Sequence, residues 1–217
     1  MVFGKIEYLN LLPFHVFMKR SLRSTQEHAS MEYKRGVPAQ INKAFHKRDV
    51  DAAFISSISA KSSSYVKLGI IAKASVRSVI VVPSQKKKKD VESASSNILA
   101  EILGLSGEVL IGDKALKYTL ENDNYIDLAE VWHKKYHVPF VFALLCYHKN
   151  KRNYKVIERE FTKRKVKIPY YILQKASYEN AMTSYDILDY LKLISYKLDK
   201  KAELGLKKFY RLAKRVS

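Results

Sequence analysis

Small hydroxyl and amide side chains stand at four places in this 217-residue chain where a strand or helix is expected to begin or end. They are Asn10, the pair Ser56 and Ser57, Ser78, and the cluster Ser93, Ser95 and Ser96. In open α/β sheets, ligands collect outside the carboxyl ends of the strands. Helix N-termini add free N–H groups and a positive dipole end, which suits anions. Hydroxyls and amides at such points can hold a carboxylate without bulk. Any one of these serines alone is explained as a helix cap, a role Ser and Asn fill well. Four such places together favour a shared anion pocket. The chemistry they offer is binding and orientation, since neither Asn nor Ser titrates near neutral pH.

Other reactive side chains point nowhere as clearly. His133 and His137 are four apart, a spacing that suits one helical face, but no Glu follows His133 and no third ligand is evident. A surface or interface pair is the preferred reading, and no metal is expected. His15, His28, His46 and His148 are scattered. Cys146 sits in an apolar run and reads as a buried, inert thiol. Asp113 follows a strand in Ile-Gly-Asp; beside an anionic ligand its carboxylate would repel, so a cap or structural role is preferred. Gly112 lacks a phosphate-binding loop around it, so ATP and nicotinamide cofactors are unsupported and no cofactor is expected.

The elements that must hold these residues alternate between strand and helix. Strands are expected over 3–9, 31–35, 51–56, 70–74, 78–82, 109–112 and 139–147, from runs of β-branched and aromatic residues. Helices are expected from Pro13 through Met18, over 39–47, 93–103 and 113–120, and through most of the chain beyond Tyr154. Over 185–196, Ile187, Leu188, Leu191 and Ile194 fall at helical spacing, and 200–216 repeats the pattern. Strand–helix alternation implies a mainly parallel α/β architecture.

In their order and spacing these stretches resemble the chorismate dehydratase family of the futalosine route to menaquinone. The resemblance begins with Gly4-Lys-Ile-Glu-Tyr-Leu-Asn10 and runs through Gly36-Val-Pro38 to Asp51-Ala-Ala-Phe-Ile-Ser-Ser57. Ser75-Val-Arg-Ser78-Val79 and Ser93-Ala-Ser95-Ser96 continue it, the latter with serine where the family has threonine. The strongest stretches are Leu110-Ile-Gly-Asp113-Lys-Ala-Leu116 and Asp127 through Trp132 to Val138-Pro-Phe-Val-Phe-Ala143. A looser match runs from Tyr190 to Phe209, so nearly the whole chain is covered. Glu7 departs from the small residue often found before Tyr-Leu-Asn, and the region around 86–90 is compressed.

The resemblance implies a periplasmic-binding-protein-like fold of type II, with two α/β lobes around a central cleft joined by two crossing strands. The crossings are expected near 80–83 and 140–144, giving one lobe of 1–80 plus 144–217 and another of 81–143. It implies loss of water from chorismate to give 3-[(1-carboxyvinyl)oxy]benzoate. Asn10 and Ser78 are then the catalytic candidates, Asn10 orienting the reacting centre and Ser78 with the Val79 backbone holding a carboxylate. Arg77 would add charge support, Ser56 and Ser57 would line the first lobe, and Ser95, Ser96 and Asn97 the second. A carboxylate of the substrate itself is the candidate proton acceptor. The alternatives are 1,4-dihydroxy-6-naphthoate synthase of the same route and a non-enzymatic carboxylate-binding protein.

Charge first suggests something else. The chain carries 40 Lys and Arg against 21 Asp and Glu, a formal net charge of +19. Residues 147–217 alone hold 19 basic and 7 acidic residues. A basic helix can lie on lipid or nucleic acid, yet no nucleic-acid-binding signature accompanies the charge. The lysines at 86–89 read as a solvated turn. The preferred reading is a solvated basic face, with no nucleic acid partner, no membrane insertion and a cytoplasmic location; the small dianionic substrate is the expected partner. Hydrophobic residues at 47% exclude disorder, and a single cysteine excludes a disulfide scaffold.

Overall fold

A computed structural model describes residues 1–21, 32–163 and 165–216. The larger of its two sheets has six strands: β1 (Val2–Lys5), β2 (Glu32–Arg35), β3 (Ala52–Ser56), β4 (Tyr65–Ala72), β8 (Phe140–Tyr147) and β9 (Ile194–Lys197), in the order β2-β1-β3-β8-β4-β9. The smaller has three, β6 (Gly107–Ile111), β5 (Val79–Pro83) and β7 (Ile126–Asp127), with β5 central. The chain passes from the large sheet to the small between Ala72 and Val79 and returns between Tyr136 and Phe140.

The mainly parallel sheet expected from strand–helix alternation is not what forms. β1 pairs in parallel with β2 and β3, but β8 runs antiparallel between β3 and β4, and β9 is antiparallel to β4. In the small sheet β5 is antiparallel to both neighbours. The reason is the route: β8 enters the large sheet from the small one, and so arrives head-on to β3. Every residue of β3 is buried, which is why Ala-Ala-Phe-Ile-Ser reads as a continuous run rather than an alternation.

Helices cover the sheets: α1 (Leu12–Ser21), α2 (Pro38–His46), α3 (Ala94–Leu103), α4 (Gly112–Glu121), α5 (Leu128–Tyr136), α6 (Lys151–Lys163), α7 (Tyr170–Asn180), α8 (Ser184–Lys192) and α9 (Lys200–Ala213). Their starts are locally encoded. Ser93 caps α3 by accepting from the Ser96 N–H at 3.2 Å, and Thr183 and Asp186 form a capping box on α8. The helix expected over 185–196 stops at Lys192. Ile194 instead begins β9, because the open edge of β4 supplies a ladder for residues 194–197. The strand expected over 3–9 ends at Lys5, where the chain turns into a 3-10 helix, Leu9–Leu11. Of the stretch 31–35, Met31 lies outside the described residues.

The core is aromatic on both sides of the large sheet. Phe14 stacks edge-on to Phe54 and Phe161 at centroid distances of 4.9 and 5.3 Å. Phe140 meets Trp132 at 5.2 Å and Phe209 at 4.9 Å, tying α5 and α9 to the strand that returns from the small sheet. Lys88 and Lys89 reach Glu108 and Glu101 as exposed ion pairs, which contribute little to stability.

Candidate active site

A cleft of about 600 Å³, its mouth included, opens where the two sheets face each other. Its apolar wall comes from Ile6, Phe54, Ile70, Val76, Ile111 and Phe142, with Tyr8 at one side. Its polar groups are Asn10, Ser56, Ser78, Ser93 and Ser96. Among the described residues, no Lys, Arg or His lines it.

Asn10 sits mid-turn in the 3-10 segment, and two contacts pin that turn from opposite sides. The Tyr196 hydroxyl donates to the Asn10 carbonyl oxygen at 2.6 Å, and the Leu9 N–H donates to Asp113 Oδ1 at 3.1 Å. Asp113 lies in the first turn of α4, so this second bond links the large-sheet side to the small-sheet side. Burial pushes the Asp113 carboxyl up to about 6, only partly opposed by the Leu9 bond. Tyr8 makes a further link: its hydroxyl donates to Glu92, and its ring lies against Gly112. Gly112 has φ 67°, and a Cβ there would sit 2.7 Å from the Tyr8 ring.

Ser78 ends the passage between sheets, and buried Asp127 fixes its approach. One oxygen of Asp127 accepts from Val76 N–H at 2.8 Å and Arg77 N–H at 2.7 Å; the other caps α5 through Ala129 and Glu130. Arg77 adopts φ 57°, and Ser78 after it lines the cleft. Its hydroxyl, almost fully buried, accepts from the Tyr190 hydroxyl at 2.8 Å. Val79 begins β5 and lines the cleft beside it.

Ser56, at the end of β3, is held by Asn42, which donates to its Oγ at 2.8 Å and accepts from its N–H at 3.1 Å. Ser96 and its cap Ser93 share a hydroxyl–hydroxyl bond of 2.7 Å at the start of α3. Thus Asn10, Ser56, Ser78, Val79 and Ser96 converge on one cleft.

Four other expected site residues are engaged elsewhere. Ser57 and Ser95 are buried and bonded to each other at 3.1 Å, and Ser95 also accepts from the Ile58 N–H. Asn97 brackets its own loop, bonding both the N–H and the carbonyl of Asp90. Arg77 turns away to Asp189 at 2.7 Å. None of the four lines the cleft.

Ser93, one of the hydroxyl cluster expected from the sequence, lines the cleft, while Tyr8 and Tyr190 lie outside the sequence expectation. Tyr8 carries a local signal, since it stands within the Tyr-Leu-Asn motif. Tyr190 carries none, being 112 residues from Ser78. Among the described residues no group of three or more His, Cys, Asp or Glu is placed to hold a metal. His137 ends α5 in a left-handed conformation, its ring 6.5 Å from that of His133. Cys146 is buried, its thiol pushed up to about 12 by desolvation.

Comparison with known proteins gives the family and the fold. A family model described as menaquinone biosynthesis matches residues 1–105 and 88–215. A chorismate dehydratase of Campylobacter jejuni subsp. jejuni is 43% identical across all of this chain and 99% of its own length. A solved structure of an Archaeoglobus fulgidus protein aligns with TM-score 0.77 at 13% identity, covering 99% of this chain and 96% of that one. The periplasmic aliphatic sulphonate-binding protein of Escherichia coli aligns with TM-score 0.60 at 13% identity, over 99% and 86%. The fold is therefore the periplasmic-binding-protein-like one.

Proposed function

We propose, from the premise that the chain belongs to the menaquinone biosynthesis family, that it is a chorismate dehydratase. It is a hydro-lyase that converts chorismate and releases water. In the elimination, the C–H bond at the ether-bearing ring carbon and the neighbouring C–OH bond break, and a ring double bond forms. The hydroxyl departs with the abstracted proton as water, and the ring becomes aromatic, giving 3-[(1-carboxyvinyl)oxy]benzoate. Because aromatisation drives the reaction, the protein's task is to hold geometry and exclude water.

The observation that carries the reading is the full-length relationship to a chorismate dehydratase, joined to a cleft with apolar walls and neutral polar groups. The walls suit a six-membered ring. The hydroxyls of Ser78 and Ser96 suit carboxylates, since the Ser56 and Ser93 protons go to Ser59 and Ser96. Asn10 and Ser78 are the residues we assign to the reacting centre, with Val79, Ser56 and Ser96 as binding groups. Ser57, Ser95, Asn97 and Arg77 keep a supporting role through the contacts described above. Among the described residues, none that lines the cleft is a strong base at neutral pH, and we assign the proton to a substrate carboxylate.

For this reading we put the lobe boundaries in the passages at 73–78 and 137–139, near the 80/81 and 143/144 expected from the sequence; the pairing of β5 within the small sheet and of β8 within the large one supports them. No helix among the described residues is long and apolar enough to cross a membrane, and we place the enzyme in the cytoplasm with its substrate. Incubation with chorismate, followed by ultraviolet detection of an aromatic product, tests the assignment. Absence of product from folded protein overturns it. In the same assay, near-normal turnover by Asn10→Ala or Ser78→Ala removes that residue from the site.

A further inference from the structure

The geometry points to Tyr190 and Tyr196 as positioning residues that set how Ser78 and Asn10 face the substrate. The inference rests on the dehydratase reading and concerns the same cleft. The two tyrosines flank the junction of α8 and β9, where Leu193 alone separates helix from strand. Tyr190 is fully buried, and its hydroxyl donates to Ser78 Oγ at 2.8 Å. Tyr196 donates to the Asn10 carbonyl oxygen at 2.6 Å. One short stretch of chain therefore reaches both residues assigned to the reacting centre.

The consequence for Ser78 follows from its hydrogen-bonding inventory. A serine hydroxyl has one proton and two lone pairs. With a lone pair taken by Tyr190, its own proton is free to turn into the cleft that Ser78 lines, and Ser78 becomes a donor to an anion. Burial pushes both phenols well above their ordinary value, so they remain donors at any working pH. The Tyr196 bond fixes the turn that carries Asn10, and with it the direction of the amide. The arrangement orients two neutral groups without placing a charge beside the substrate.

Tyr190→Phe deletes one oxygen and keeps the ring. We expect kcat to fall roughly tenfold, the scale of one lost hydrogen bond, with KM changed much less and the melting temperature near wild type. In a double-mutant cycle, Tyr190→Phe adds nothing further in a Ser78→Ala background, because it acts through that hydroxyl. Unchanged kcat in Tyr190→Phe, or full additivity with Ser78→Ala, overturns the inference. Should Tyr190→Phe fail to fold, Tyr196→Phe decides: lowered kcat, non-additive with Asn10→Ala, supports it, and unchanged kcat overturns it. Wild-type protein that makes no aromatic product defeats the dehydratase reading itself. Wild-type turnover alongside unaffected tyrosine variants defeats this inference alone.

Discussion

The hydroxyls of Ser57 and Ser95 meet at 3.1 Å, joining the end of β3 in the large sheet to the first turn of α3 on the other side of the cleft. Both residues are buried, and Ser95 Oγ also accepts from the Ile58 N–H at 3.0 Å. The serines thus tie the two halves together. Ser95→Ala leaves the Ile58 N–H and the Ser57 hydroxyl without this partner, at a cost of about 1–3 kcal/mol. We expect a lower melting temperature and a raised KM, with kcat affected less. A variant whose kcat collapses while KM and stability hold would place Ser95 in the chemistry instead.

Gly112 and Tyr8 offer a second check across the cleft. Gly112→Ala puts a methyl 2.7 Å from the Tyr8 ring at a φ that disfavours any side chain, so the ring must shift and its bond to Glu92 must loosen. The expected loss is about 1–3 kcal/mol of stability, together with a marked fall in kcat/KM. Gly104→Ala is the control. Gly104 has a similar φ of 71° but open space around it, so stability alone should drop. Equal effects of the two substitutions on activity would mean that backbone strain, not the Tyr8 contact, is responsible.

Two partly buried groups oppose each other in the pH dependence of stability. Asp113 is raised from 3.8 to about 6, so the folded state holds its proton more tightly than the unfolded chain, and stability falls as pH rises through that window. His15, which bonds the Ile6 carbonyl at 2.8 Å, is lowered from 6.5 to about 4, so stability falls as pH drops through its window. Asp113→Asn removes the first effect. That variant should be more stable than wild type at pH 7, by up to roughly 3 kcal/mol, and should lose stability steeply on acidification from about pH 6.5 to 4. His15→Asn should show the opposite slope. Chemical denaturation at a series of pH values reads both; profiles parallel to wild type would refute the assignment.

The charge of +19 makes a kinetic prediction. Among the described residues no cation lines the cleft, so attraction of a dianion is long-range and is screened within about 10 Å at 0.1 M salt. KM for chorismate should therefore rise with ionic strength while kcat stays level. A KM indifferent to salt would show that the basic surface takes no part in substrate capture.

What the sequence by itself determined about this protein is local or family-wide. Ser93 as the cap of α3, the buried strand at Ala52–Ser56 and the order of motifs are all written in neighbouring residues, and the motif order carried the family. Spacing along the chain cannot state which distant groups meet, and there the tertiary structure decided. It set Ser56, Ser78 and Ser96 against the cleft but joined Ser57 to Ser95, although all five serines look alike in the sequence. It paired Arg77 with Asp189, 112 residues away, removing the charge expected beside the substrate. It turned β8 antiparallel between β3 and β4, and so brought the two halves face to face. It placed Tyr190 behind Ser78. A hydroxyl has few hydrogen bonds to give, and once packing commits them to a neighbour they are lost to a ligand.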